Sequence, residues 1–144
     1  MISRVAAGLA LALLLPRRPQ TPVAAILGTW RGTSICADRQ VDRACRDEAV
    51  IYEVDSASSS RGPVRMRADK VVGGVRQPMG VLRLGFDSTT QIWSAELTAR
   101  LRARWSFAVK GDVLEGTLTE LPSGRLVRRA TARRAPRSSN GPPD

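Results

Sequence analysis

Residues 64–87 read V-R-M-R-A-D-K-V-V-G-G-V-R-Q-P-M-G-V-L-R-L-G-F-D, and this stretch decides the fold. From Val64 to Val72, Val64, Met66 and Ala68 alternate with Arg65, Arg67 and Asp69. A period of two sends successive side chains to opposite faces, which is the pattern of a strand with one apolar and one wet face. Gly73-Gly74 supplies the positive φ angles of a tight hairpin turn. Gly80–Asp87 then sets Leu82, Leu84 and Phe86 against Arg83, Gly85 and Asp87. Pro78 sits just ahead of that run, where its missing N–H is tolerated. Asp69 and Lys70 read as an exposed ion pair of little energetic weight.

The same alternation recurs on both sides of this hairpin. Ile26–Ile35 places Gly28, Trp30, Gly32 and Ser34 on one face, and Glu48–Asp55 places Val50, Tyr52 and Val54 together. Gln91–Thr98 is a run of undecided facing, and Leu97–Ala103 is compatible with one helical turn. Arg104–Lys110 shares Trp105, Phe107 and Val109; Val113–Thr119 shares Leu114, Gly116 and Leu118; Arg125–Ala132 shares Leu126, Arg128 and Ala130. Turn residues separate the runs, and no long helical pattern intervenes. With 144 residues, 42% hydrophobic, the chain is sized for one domain. Eight evenly spaced antiparallel runs predict an all-β domain over 26–132, an up-and-down β-barrel or a sandwich, with closure left open by the pattern.

The amino terminus has the layout of an export signal. Met1–Arg4 is a basic start, and Val5–Leu15 is an uninterrupted apolar run of eleven residues. A membrane-spanning helix needs about 20. Pro16-Arg17-Arg18-Pro19 ends the run, and the small residues of Val23-Ala24-Ala25 predict cleavage after Ala25. The expected domains are therefore a signal peptide over 1–25, the barrel, and a disordered basic tail over 133–144. The expected location is periplasmic or secreted, with no stable membrane insertion after cleavage. In an oxidising compartment Cys36 and Cys45, bracketing a polar loop, are expected to form a disulfide.

The formal net charge is +10, but residues 26–124 carry fourteen basic and twelve acidic side chains. The excess belongs to the ends. The tail Arg133-Arg134-Ala135-Pro136-Arg137 contains no aromatic residue, so it reads as a solvated segment and not as a nucleic-acid surface. There is no His, which removes His-based metal sites and acid–base relays. Ser58-Ser59-Ser60 has no His to activate a hydroxyl, and no phosphate-binding loop is present. Asp47 and Glu48 point to opposite faces of a strand and are not a paired-carboxylate site; capping the disulfide loop or pairing with Arg43 and Arg46 is expected.

Gly28-Thr29-Trp30 on the first strand resembles the Gly-x-Trp mark of lipocalins and other calycin barrels. That resemblance implies that Trp30 closes one barrel end and that an arginine of the last strand packs across its ring, with Arg128 the facing candidate. The wider pattern, G-T-W-R-G-T-S-x-C followed by A-C-x-D-E, A-D-K and P-M-G, is similar to small secreted bacterial proteins of unknown function. Avidin-type proteins share the G-T-W opening, but Arg31–Cys36 lacks the polar biotin-binding pattern. Small bacterial metalloprotease inhibitors also combine a Gly-x-Trp strand, one disulfide and eight strands, and insert an amino-terminal segment into the enzyme.

Two functions follow as expectations. The first is a non-enzymatic, lipocalin-like binding protein for a small apolar ligand, lined by Tyr52, Met66, Leu84, Phe86, Trp105 and Phe107, without cofactor or metal. The second is a periplasmic inhibitor or interaction protein acting on a protease or lysozyme.

Overall fold

The computed structural model describes residues 20–40, 43–56, 62–99 and 102–137. Eight antiparallel strands close into one barrel in the order of the chain. They are β1 (Gly28–Cys36), β2 (Glu48–Asp55), β3 (Val64–Val72), β4 (Val75–Asp87), β5 (Ile92–Leu97), β6 (Ala103–Lys110), β7 (Val113–Glu120) and β8 (Leu126–Arg134), preceded by the short helix α1 (Pro22–Ile26). The up-and-down barrel expected from the alternation is present. The apolar run of the amino terminus, Ser58-Ser59-Ser60 and the last seven residues of the tail lie outside the described residues. Among the described residues no helix is long and apolar enough to cross a membrane.

The strand faces follow the alternation. Trp30, Tyr52, Met66, Leu84, Trp93, Phe107 and Leu114 point inward and form one buried core. The undecided fifth strand is settled by pairing: Trp93 lies opposite Phe86 and Phe107, so Trp93, Ala95 and Leu97 face in. Gly32 allows β8 to close against β1, because a Cβ there would stand 1.9 Å from the Thr131 carbonyl oxygen.

Two strand boundaries differ from the sequence reading. β4 starts at Val75, and Pro78 lies within it, opposite Asp69. Met79 is the extra residue of a bulge there, and β4 has no ladder with β5 at this height, so the proline removes no needed donor. β8 runs through Arg134, which places Arg133 and Arg134 in the barrel and not in the tail. The boundary at Ala25 falls inside α1, whose Val23 and Ile26 belong to the core. Asp69 is also not an exposed partner of Lys70. It is buried under Arg76, which donates to it from Nε at 2.8 Å and Nη2 at 2.5 Å.

α1 plugs one end of the barrel. Thr21 Oγ1 accepts from the Ala24 N–H, and Pro22 occupies the first turn, where its absent N–H costs nothing. The terminal carbonyls of so short a helix need outside donors. Trp30 Nε1 donates to the Ile26 carbonyl at 2.9 Å, and Arg134 donates to those of Leu27 and Ala25. The same guanidinium lies 4.2 Å from the Trp30 ring centroid. The arginine of the last strand is therefore Arg134, and the pairing of Trp30 with Arg128 is corrected. In the β1–β8 register Trp30 faces Arg134 and Cys36 faces Arg128, six residues or ~20 Å farther along the strand.

Candidate functional site

The barrel end opposite α1 is not filled. A cavity of ≈ 310 Å³ lies there between two unlike walls. One wall, from β1, β2 and β8, carries Ser34, Glu48, Tyr52 and Arg128. The other, from β3 to β7, is apolar, with Ala68, Leu82, Leu97, Trp105, Phe107 and Leu118, and its rim is formed by Met79, Gly80 and Val81. The cavity exists because β4 and β5 part company. Their ladder holds only Gly85–Ser94, Phe86–Trp93 and Asp87–Ile92. Leu82 and Leu97 therefore flank a seam instead of closing it with backbone hydrogen bonds. Trp105 stacks on Phe107 at 5.2 Å, and Tyr52 meets Phe107 edge-on at 5.8 Å, which gives the site an aromatic side.

The polar wall is built by Arg128, whose side chain is 14% exposed. Its Nε donates to Ser34 Oγ at 2.9 Å, and its Nη2 to the carbonyls of Ser34 at 3.0 Å and Arg46 at 2.7 Å. Nη1 lies 3.1 Å from Cys45 Sγ, and Glu48 balances the charge at 3.4 Å. The guanidinium thus ties the disulfide loop to β1, β2 and β8, and its donors are turned to protein. Cys36 and Cys45 are bonded as the sequence leads one to expect. Asp47 caps their loop by accepting from the Cys36 N–H at 2.9 Å, and its ion-pair partner is Arg39, not Arg43 or Arg46.

Tyr52 is different. It is 3% exposed, it lines the cavity, and its hydroxyl has no hydrogen-bond partner among the described residues. Burial pushes its pKa up to about 12, with Arg128 pulling the other way and Glu48 adding to the rise. The phenol is therefore a permanent donor near neutral pH.

Of the six residues expected to line a ligand site, Tyr52, Trp105 and Phe107 line this cavity. Met66 and Leu84 face in but are fully buried deeper in the barrel, where Trp30 and Trp93 fill the space. Phe86 is at the plugged end, 4.8 Å from Trp93 and beside Pro22 and Ala25. Phe86 is a packing residue because α1 occupies the end it would have lined, and Met66 and Leu84 are packing residues because the two indoles fill the barrel's middle. Among the lining residues that the sequence reading missed are Ser34, Glu48, Ala68, Leu97, Leu118, Arg128 and the Met79–Val81 rim. Alternation could have offered Leu97 and Ser34, but no local signal marks the seam. Among the described residues no cluster of His, Cys, Asp or Glu could hold a metal ion. Comparison of the chain with protein families, characterised proteins and solved structures finds no match.

Proposed function

We propose that this protein is an exported, lipocalin-like barrel that binds a small, largely apolar molecule non-covalently and catalyses no reaction on it. The observation that carries this reading is the 310 Å³ cavity with an aromatic and aliphatic wall at the unplugged end. It lies at the lower edge of the roughly 300–1,000 Å³ usual for ligand sites. Its titratable groups support binding over chemistry: Arg128 and Glu48 neutralise each other, and the Tyr52 phenol stays protonated. The Gly28-Thr29-Trp30 opening with Arg134 across the indole supports the calycin-like assignment. The disulfide supports export to an oxidising compartment. Since α1 belongs to the core, we place leader cleavage upstream of Thr21 and not after Ala25. Native mass spectrometry of protein recovered from a bacterial periplasm tests both points. The expected result is a mature start before Thr21 and a bound small-molecule mass that gentle activation removes. A mature start at Ile26 would overturn the cleavage reading. A bare protein that also gives no saturable signal with the apolar dye N-phenyl-1-naphthylamine would overturn the binding reading.

A second reading, an inhibitor or interaction protein acting on a protease or lysozyme, draws on Val72, Val75, Met79 and Val81. These apolar side chains are exposed along the β3–β4 hairpin beside the cavity. Inhibition assays with purified protein, repeated with Val75→Thr and Val81→Thr, test it; no inhibition by the unaltered protein removes this reading.

A further inference from the structure

We infer that the cavity takes a small apolar molecule bearing one hydrogen-bond acceptor, that the Tyr52 hydroxyl holds this acceptor, and that Arg128 is not the ligand's counter-ion. This rests on the proposed binding function and specifies its chemistry.

Three observations lead there. First, the Tyr52 hydroxyl is the polar group of the cavity left without a partner among the described residues, although the residue is 3% exposed. The oxygen is not sealed in protein, since the fully enclosed unpartnered side-chain atom among the described residues is Asp69 Oδ1; the phenol O–H is therefore open to the cavity, and a ligand acceptor that enters can take its hydrogen bond. Second, the phenol is protonated near neutral pH and has an O–H to donate, which a ketone, ester or ether oxygen matches. Third, Arg128 already donates to Ser34 and to the Arg46 carbonyl and is neutralised by Glu48, and a carboxylate ligand would have to displace those partners. The volume, equivalent to about ten liquid waters, suits a medium-chain or bicyclic compound.

The test uses competition against N-phenyl-1-naphthylamine with three competitors. These are 2-nonanone, 2-methyl-1-nonene (in which a methylene replaces the carbonyl oxygen) and nonanoate. In the unaltered protein the ketone displaces the dye, and Tyr52→Phe lowers the ketone-to-alkene affinity ratio about tenfold, the ratio being taken within each protein so that any change in dye affinity cancels. A ratio equal in both proteins overturns the assignment to Tyr52. Nonanoate binding tighter than the ketone, with the preference lost in Arg128→Met, overturns the claim about charge. Failure of the dye and all competitors to bind the unaltered protein is the distinct outcome that removes the binding function itself. Tyr52 is the single tyrosine of the chain, so a 13Cζ label gives one resonance in the unaltered protein. That resonance shifts with the ketone and not with the alkene; equal shifts with both overturn the inference without any variant.

Discussion

Trp30→Ala and Arg134→Ala should be coupled, and Trp30→Ala and Arg128→Ala should not. Trp30 is fully buried and holds the Ile26 carbonyl, so its truncation removes an indole from the core and leaves an acceptor open. That costs about 3–5 kcal/mol. Arg134 caps two carbonyls of the plug and covers the indole at 4.2 Å, with its side chain 21% exposed. Losing two charge-assisted hydrogen bonds that water can partly replace, plus the cation–π contact, costs about 2–3 kcal/mol. Both side chains anchor α1, so the second substitution meets a plug already loosened, and the coupling should be about 1 kcal/mol. Arg128, ~20 Å along the barrel, shares no partner with Trp30, and its cycle should close within ~0.5 kcal/mol. Urea unfolding followed by far-UV circular dichroism measures both cycles without depending on the removed tryptophan. Additivity of Trp30 with Arg134, or coupling of Trp30 with Arg128 instead, would refute the assignment of Arg134 as the residue over the ring.

The phenol of Tyr52 should titrate near 12 by absorbance at 295 nm, where it is the single tyrosine. Its folded pKa lies above the unfolded value, so its share of stability is full below pH 10 and falls by ~1.4 kcal/mol per pH unit as pH rises from 10 to 12; a titration near 10 in the folded protein would contradict its burial. Native protein should resist thiol labelling until reduced, and Cys36→Ala/Cys45→Ala should cost about 2–3 kcal/mol for so short a loop, read from the urea midpoint. Gly32→Ala should cost about 3 kcal/mol or more, because the new methyl meets the Thr131 backbone, which cannot move without opening β1 from β8. Gly116→Ala should cost about 1–2 kcal/mol, because its methyl meets the Phe107 ring at 2.6 Å and that ring borders a cavity into which it can shift; equal losses at the two glycines would contradict this difference.

The sequence by itself determined the strands, the inward faces of all but the fifth, the turn at Gly73-Gly74 and the disulfide partners. These are local properties: a period of two, glycine at positive φ, and two cysteines around one loop. Tertiary structure decided everything that depends on depth along the barrel axis. Arg128 and Arg134 are six residues apart, so both face inward, and alternation cannot choose between them; only the register of β8 against β1 brings Arg134 to Trp30. For the same reason Tyr52, Met66 and Phe86 looked equivalent, although one reaches the cavity, one sits in the core and one lies at the plugged end. A five-residue helix is too short to show a period of its own. No pattern in the sequence therefore marks α1, and only its packing against Trp30 and Arg134 makes it the barrel's plug.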